Sequence, residues 1–327
     1  MGKIFGMIAA LLLLLSGSAA ALAQDATPAA RGSAMFADTM GLPELRITAS
    51  DTALEGVPAE TAAGRYLVTL TNSGSEDAAA GFLQLPEGVT AADLAALGGP
   101  PPGVEGTPAA GGETAGTPAA DGNNGGGEDG PPPWFYQTYI AGGAGAGAGQ
   151  TAQAIVDLLP GSYAVWGEDP EAKQPPVALT VTGEMPADLA EPTADVTVNE
   201  VGTNEGFRFS LDGDLAVGPQ TIKVYNHSDQ PHFLILLKSP GPITEEQVQA
   251  LLTFDPSSGT PLPSDTPDPD KFTTAAYMSV MSQGTVAYLA SNLDSGYYVM
   301  LCFISDPKKG HMPHAAEGMA QIFEVGQ

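Results

Sequence analysis

The apolar segments of this chain occur twice in the same order, and this repeat constrains the fold more than any other feature of the sequence. The segment that ends at Asn72 matches the segment that ends at Asn226, 154 positions later. Further along, GQTAQAIVDLLPGSYAVW, which begins at Gly149, matches GTVAYLASNLDSGYYVML, which begins at Gly284, 135 positions later. A pattern repeated over this length predicts two copies of one fold.

The apolar segments within each copy are short, and Gly, Pro, Asn and Asp separate them. Segments such as QTIKVYN, GTVAYLA and GYYVMLCF are rich in β-branched and aromatic residues, and several alternate between polar and apolar positions, as strands do. Thr90 and Thr244 each open a short helical pattern, with Asp93 or Gln247 three positions later as in a capping box. We therefore predict an all-β protein of two tandem Greek-key β-sandwiches, each with one short helix.

The N-terminus has the pattern of a secretory signal. Lys3 precedes an apolar run that ends at Leu15, and Ala21-Leu22-Ala23 follows as an A-x-A cleavage pattern. The run is short for a membrane span, which needs about 20 apolar residues, so an uncleaved anchor is the weaker alternative. We expect an exported protein, periplasmic or extracellular, with no membrane span after cleavage.

Composition divides the remaining chain into segments. The Gly- and Pro-rich stretch 98–133 has too few bulky apolar residues to fold, so it predicts a disordered insert within the first domain. The Gly- and Ala-rich run at 141–149 is expected to be a flexible loop. The full assignment is a signal peptide at 1–23, a flexible leader at 24–43, a first β-domain at 44–183, a linker at 184–194 and a second β-domain at 195–327.

Charge and cysteine content limit the functional classes. The formal net charge is −27, from 38 acidic and 11 basic residues, and such a surface repels nucleic acid and anionic lipid. It is expected first to keep the protein soluble, and it would also attract a basic protein partner or cations. Export places the chain in an oxidising compartment, where structural cysteines pair. The only cysteine, Cys302, has no partner within the chain. It is therefore an intermolecular bridge, a buried bystander or a metal ligand.

The second copy carries an unusual set of side chains around that cysteine. His232 begins a predicted strand, Cys302 ends another, and His314 and Met319 follow in one loop. A thiolate, two imidazoles and a weak thioether form the ligand set of a blue-copper site. The first copy contains no His and no Cys, and we predict that it holds no such site.

These residues resemble the cupredoxin family, the plastocyanin-like small blue-copper proteins. The resemblance rests on Asn226 and Pro231-His232, on the strand Tyr297 to Cys302, and on His314-Ala-Ala-Glu-Gly-Met319, and it covers about residues 194–327. It implies a cupredoxin-like fold with copper as the cofactor. By position, it implies His232, Cys302 and His314 as equatorial ligands and Met319 as the axial ligand.

One departure from the family pattern concerns the ligand loop. Eleven residues separate Cys302 from His314, where the family usually has two to four. The repeat shift rises from 135 before Cys302 to 143 near the C-terminus, so eight residues are inserted in the second copy and are expected to bulge outward. The longer loop leaves His311 as an alternative ligand. At the aligned places of His232, Cys302, His314 and Met319, the first copy has Ala78, Gly167, Glu171 and Pro176.

Three functional hypotheses follow, and the first is favoured. It is an exported single-copper electron carrier that exchanges electrons with a redox protein and has no catalytic residues. The second is a metal-free binding or structural module, and the third is copper sequestration or delivery with Met312 as an additional soft ligand. An enzyme is disfavoured, because a Cys302–His314 nucleophile pair lacks a third orienting group and no His-x-His motif of a multicopper oxidase is present.

Overall fold

The computed structural model describes residues 34–97, 131–168, 174–203, 206–254 and 261–326. The predicted signal peptide and residues 98–130 of the predicted insert lie outside the described residues, as does Glu171. Within the described ranges, no helix is both long enough and apolar enough to span a bilayer.

Strands dominate the first half of the chain. Its elements are β1 (Glu44–Ala49), β2 (Leu54–Glu55), β3 (Glu60–Ala62), β4 (Gly64–Asn72), β5 (Ala78–Gln84), α1 (Ala91–Leu97), a 3₁₀ turn (Pro133–Tyr136), β6 (Ile140–Ala146), β7 (Thr151–Leu158), β8 (Gly161–Trp166) and β9 (Val177–Thr182).

The second half repeats this arrangement with an elaborated C-terminal loop. Its elements are β10 (Val196–Thr203), β11 (Gly206–Asp212), β12 (Gly218–Asn226), β13 (His232–Lys238), α2 (Glu245–Leu252), a 3₁₀ turn (Pro269–Lys271), β14 (Thr273–Met281), β15 (Val286–Leu293), β16 (Gly296–Leu301), β17 (Ser305–Asp306), a 3₁₀ turn (Pro307–Lys309), β18 (Met312–Pro313), a 3₁₀ turn (His314–Glu317) and β19 (Ala320–Val325).

The repeat holds at the level of strand boundaries. Strands β4 and β12 begin and end 154 positions apart, β8 and β16 begin and end 135 apart, and β9 and β19 begin and end 143 apart. Helix α2 begins after a capping box in which Thr244 accepts from the Gln247 amide, as the sequence pattern indicates. The predicted all-β class, with one short helix in each half, is confirmed.

Two large sheets pack face to face, and each sheet contains strands from both halves. One sheet has the order β11-β10-β12-β15-β7-β4-β1-β2, and the other has the order β19-β16-β13-β14-β6-β5-β8-β9-β3. A single cluster of buried apolar side chains, including Val68, Phe82, Val224 and Leu236, runs between the sheets through both halves. The two copies therefore share their hydrophobic core.

The halves join edge to edge through equivalent strands. Strand β15 pairs antiparallel with β7, and Leu289 lies opposite Ala154. These two residues are equivalents in the repeat, since they are 135 positions apart, so a pseudo-two-fold axis passes between them. In the other sheet, β14 pairs antiparallel with β6.

The Gly- and Ala-rich run does not form the flexible loop that its composition indicates. Residues 140–146 form β6, a fully buried strand between β5 and β14. The small residues are needed for close approach, because a Cβ atom on Gly145 would lie 2.2 Å from the ring of Tyr277 in the other half. Gly- and Ala-rich composition does not distinguish a flexible loop from such a strand, because close packing of strands also requires Gly and Ala.

Two connecting segments contact the sheets without forming long strands. At the end of the predicted leader, the Phe36 amide donates to Gln153 and the Phe36 ring packs against a small apolar cluster. In the predicted linker, the Ala190 carbonyl accepts from Arg65, and Glu191 pairs with Lys223. The linker thus contacts both halves.

Candidate metal centre

The side chain of Asn226 fixes the turn that leads to His232. Its amide donates to the carbonyls of Gln230 and Met281, both at 2.8 Å, and its oxygen accepts from the backbone N–H of Ser228. Asn226 is fully buried, so these bonds satisfy polar groups that water cannot reach. The turn places His232 at the first position of β13, with its ring inside the sandwich.

The C-terminal loop brings the other predicted ligands to the same place. Cys302 follows β16, and its amide donates to the carbonyl of Met319. His314 opens a 3₁₀ turn that ends at Gly318, whose φ of 114° favours glycine. This turn lets the Met319 amide donate back to the carbonyl of His314, so the chain re-enters the sandwich beside Cys302.

Three predicted ligand atoms converge in the interior. The sulfur of Cys302 lies 3.6 Å from Nδ1 of His232 and 3.8 Å from Nδ1 of His314, and the two nitrogens are 2.9 Å apart. All three side chains have no solvent exposure. Within the described part of the chain, this is the single group of His, Cys, Asp and Glu ligand atoms close enough together to hold a metal ion.

Hydrogen bonds to the opposite ring nitrogens determine which atoms face the centre. Nε2 of His314 lies 3.2 Å from the amide oxygen of Gln230 and must donate to it. Nε2 of His232 contacts the hydroxyl of Ser228, which itself donates to the Gln230 carbonyl and so accepts from the ring. These tautomers, assigned from the hydrogen-bond network, leave both Nδ1 lone pairs directed at each other.

Burial keeps the three groups neutral. Desolvation lowers the pKa of His232 well below its usual value, and the neighbouring His314 lowers it further. Desolvation lowers the pKa of His314 to about 4, although Asp306 opposes this effect. The pKa of the Cys302 thiol is raised, mainly by desolvation and also by Glu200, while backbone N–H groups of Phe233 and Ile304 lower it.

This arrangement fits a cation. Two buried nitrogen lone pairs at 2.9 Å repel each other unless a positive charge lies between or beside them. Metal–ligand bonds of about 2.0 Å to nitrogen and about 2.3 Å to sulfur place a sulfur and a nitrogen about 3.5–3.7 Å apart, close to the observed separations. The nitrogen pair corresponds to a narrower angle, roughly 90° for bonds of about 2.0 Å. A thiolate with two imidazoles is a donor set that suits copper.

The remaining predicted residues differ in burial. Met319 is fully buried at the end of the ligand loop and belongs to the main core cluster. His311 does not belong to the convergent group. It has a left-handed φ of 61°, and its amide donates to the Asp306 carbonyl. Met312, the suggested additional soft ligand, is 44% exposed.

The inserted segment between Cys302 and His314 forms a small hairpin with a buried base and an exposed tip. Strands β17 and β18 pair antiparallel as a small hairpin, and Ser305 and Asp306 at its base are buried. The Tyr136 hydroxyl donates to the Ser305 carbonyl at 2.9 Å, so the first half holds this base in place. The tip, around Pro307 and Lys308, is exposed as the expected outward bulge would be.

Several residues at the site carried no recognised signal in the sequence. Phe207 of β11 packs its ring against His314, with ring centroids 4.2 Å apart, and against His232 at 5.0 Å. Ser228 and Gln230 orient the imidazoles. A buried Phe, Ser or Gln is too common to stand out in a sequence. Glu200 could have been found, because the alternation along β10 places it on the inward face with Val196 and Val198.

Comparisons with known proteins identify solved structures but no family. No family profile matches the chain, and no curated protein matches it. The reduced auracyanin of Roseiflexus castenholzii is 20% identical, with 40% of this chain and 95% of that chain covered and a TM-score of 0.25. For auracyanin A of Chloroflexus aurantiacus, described as a blue copper protein, the identity is 19%, the coverages are 40% and 98%, and the TM-score is 0.23. A multicopper oxidase is 14% identical over 86% of this chain and 88% of its own, with a TM-score of 0.22. At these identities and TM-scores, we draw no functional conclusion from the likenesses.

Proposed function

We propose that this chain is an exported protein that binds one copper ion between its two sheets and carries single electrons. The observation that carries the proposal is the convergence of the Cys302 sulfur with Nδ1 of His232 and of His314, at separations of 2.9 to 3.8 Å in a fully buried site. Met319 would be the fourth residue to hold the metal, since it re-enters the core directly after this loop.

The donor set supports copper over other metals. Thiolate and thioether sulfur favour Cu(I), and imidazole nitrogen also suits Cu(II), so the combination tolerates both oxidation states. When bound, copper would supply the one-electron redox chemistry. The chain supplies a neutral, dry pocket whose imidazoles are already oriented by Ser228 and Gln230. Because the ligands need little movement to bind either state, the site suits electron transfer.

The redox partner and the compartment are also part of this proposal. A net charge of −27 would attract a basic redox protein and steer its approach at low ionic strength. The signal-like N-terminus supports export. An exported protein with a single cysteine keeps its thiol available for a metal, since no second cysteine of the chain can oxidise with it.

Copper loading tests the central claim. Metal-free protein titrated with Cu(II) is expected to bind about one copper per chain, to show an intense visible thiolate-to-copper band, and to give a reversible one-electron couple. Binding replaces the Cys302 thiol proton, so one proton is released. Cys302→Ser is expected to abolish the band, because the charge-transfer donor is lost while the size of the side chain is nearly kept.

A matched pair of methionine variants tests whether Met319 holds the metal. Met319→Leu removes a buried thioether and is expected to shift the reduction potential while the band remains. Met312→Leu removes an exposed thioether and is expected to change neither.

Other outcomes select the alternatives. A folded protein that takes up no copper is a metal-free binding module. Copper that binds without the band and transfers rapidly to a chelator indicates sequestration or delivery. Steady oxidation of a small reductant by oxygen indicates an oxidase.

A further inference from the structure

The first half provides a metal-free reference for the turn before His232. There, the Asn72 amide donates to the carbonyls of Glu76 and Ala146, and its oxygen accepts from the Gly74 amide. Asn226 makes the same three bonds, to the residues that are equivalent to these in the second half. The backbone of the turn is therefore independent of any metal.

The second half differs from this reference in its side chains. Ser228, Gln230 and His232 stand where the first half has Gly74, Glu76 and Ala78. All three second-half side chains are buried. What the second half adds to a shared backbone is thus a set of polar groups that face the candidate metal centre.

Gln230 uses both ends of its amide. The side chain is 2% exposed. Its oxygen lies 3.2 Å from Nε2 of His314, and its NH₂ group donates to the Asp306 carboxylate at 2.8 Å. A carboxylate accepts only, so it fixes which end of the amide is the donor and forces the oxygen toward the imidazole.

Asp306 belongs to the segment that lengthens the ligand loop. It has no solvent exposure, and the same carboxylate oxygen also accepts from the Lys308 amide, so that Asp306 caps the 3₁₀ turn Pro307–Lys309. A buried negative charge is therefore linked through one neutral amide to a proposed copper ligand. His314 itself has no solvent exposure, so no water replaces this partner.

We propose that Gln230 is a positioning residue of the metal centre, which holds His314 with Nδ1 toward the metal and relays the charge of Asp306 to that imidazole. The inference rests on the proposed metal site. A hydrogen bond to a negatively charged partner makes a ligand imidazole more basic, and such outer partners affect metal affinity by about 10–100-fold. The more basic ligand favours Cu(II) over Cu(I), so the chain of contacts lowers the reduction potential.

The test compares Gln230→Met with Gln230→Glu in the full chain. In Zn(II)-loaded protein with ¹⁵N-labelled histidine, the wild type is expected to show a slowly exchanging Nε2–H resonance from His314. Gln230→Met removes the acceptor and is expected to lose that resonance and about 10–100-fold in zinc affinity. Gln230→Glu keeps an acceptor oxygen for His314, with one proton held between the new carboxyl group and Asp306 in place of the amide N–H, and is expected to retain the resonance.

Reduction potentials of the copper-loaded variants test the charge relay. Gln230→Met is expected to raise the Cu(I)-to-Cu(II) affinity ratio about tenfold, which equals about 59 mV for one electron. Asp306→Asn keeps an acceptor for the Gln230 amide but removes the charge, so it is expected to raise the potential while the resonance persists. If Gln230→Met does not fold, Asp306→Asn alone decides the relay.

Gln153→Met is the matched control. Gln153 is also buried and bonded at both ends of its amide, to the Phe36 amide and the Thr69 hydroxyl, but it lies in the first half. It is expected to lower stability without changing the resonance, the zinc affinity or the potential. Wild-type protein that binds neither metal defeats the proposed function. Wild-type protein that binds both, with Gln230→Met unchanged in resonance, affinity and potential, overturns the role of Gln230 alone.

Discussion

At the scale of single residues, Glu200 is an ionisable side chain buried in the core. It lies on the inward face of β10 with no solvent exposure, and neither carboxylate oxygen has a hydrogen-bond partner among the residues that the structure describes. Desolvation raises its pKa to about 8. The group is therefore protonated in the folded protein at neutral pH, whereas it ionises near pH 4.5 when the chain unfolds.

The stability of the metal-free protein is expected to fall as pH rises through this window. Between the two pKa values the folded state binds one more proton than the unfolded state, so Glu200 lowers the free energy of unfolding by about 1.4 kcal/mol per pH unit. His232 and His314 act in the opposite direction, but only below about pH 6.5, where unfolded imidazoles become charged. The window from about pH 6.5 to pH 8 therefore isolates Glu200 from the two imidazoles.

Denaturant unfolding of wild type and Glu200→Gln across that window measures the effect. The glutamine side chain of the variant cannot ionise, so the free energy of unfolding of the variant should vary less with pH. The difference in free energy of unfolding between the two proteins should grow by about 1.4 kcal/mol per pH unit. Parallel profiles for the two proteins would show that Glu200 does not titrate in this range.

Residue identity also decides which site residues a sequence can reveal. Cys302, His232 and His314 could be proposed because cysteine and histidine are scarce here, with one and four in the chain. Met319 could be proposed only from the family resemblance, which places a methionine after the second histidine. Gln230, Ser228 and Asp306 could not, because their types are frequent and their roles depend on which atom each side chain reaches.

At the scale of structural elements, the turns after β4 and β12 offer a paired experiment. Asn72 and Asn226 make the same three hydrogen bonds in the two halves. Changing either residue to Ala removes all three hydrogen bonds, although the Gln230 carbonyl keeps the Ser228 hydroxyl as a donor and the Glu76 carbonyl is only partly buried. Each change should lower the free energy of unfolding by about 1–3 kcal/mol.

The two variants should differ in metal binding. Asn226→Ala releases the turn that carries Ser228, Gln230 and His232, so its metal affinity should fall beyond what the stability loss explains. Asn72→Ala should keep wild-type affinity. Isothermal titration with zinc, alongside denaturant unfolding, separates these effects, and equal affinity losses in both variants would contradict a local role of the turn.

The sequence pattern predicted most strands of the second half correctly, but it wrongly predicted a loop for the Gly- and Ala-rich run at 141–149. Apolar alternation located β12, because a strand with one buried face must alternate. Short apolar runs rich in β-branched and aromatic residues located β15 and β16, which are buried along most of their length. Strand β6 has no such signal, since all of its positions are buried and all but Ile140 are Gly or Ala. Its role depends on Tyr277, which lies far away in the sequence and packs on Gly145.

At the scale of the whole molecule, Glu168 forms hydrogen bonds between the two halves. It belongs to the first half, and its carboxylate accepts from the Tyr277 hydroxyl at 2.6 Å, the Ser279 hydroxyl and the Val280 amide of β14. Desolvation raises the pKa of Glu168, although these three donors oppose the shift. With continuous sheets and one shared core, the halves should unfold together.

Scanning calorimetry of the metal-free protein is therefore expected to show one transition. Glu168→Ala should lower its midpoint, with a loss of about 1–3 kcal/mol, because three donors lose a buried acceptor. Glu184→Ala, at an exposed position, should leave the midpoint unchanged. Two resolved transitions in wild type, of which only one responds to metal, would show that the halves fold separately.

The sequence alone determined the β class, the duplicated order of strands, the boundaries given by the repeat shifts and the residue types available to a metal. These properties follow from local periodicity and composition, because a strand with one buried face needs an apolar residue at every second position. The tertiary structure decided that the halves share their sheets, that His314 rather than His311 meets the buried thiol, and that Gln230 joins an inserted loop to an imidazole. The shared sheets pair residues such as Ala154 and Leu289, 135 positions apart, and Gln230 lies 84 positions from His314. Such contacts depend on how whole sheets pack rather than on any local pattern.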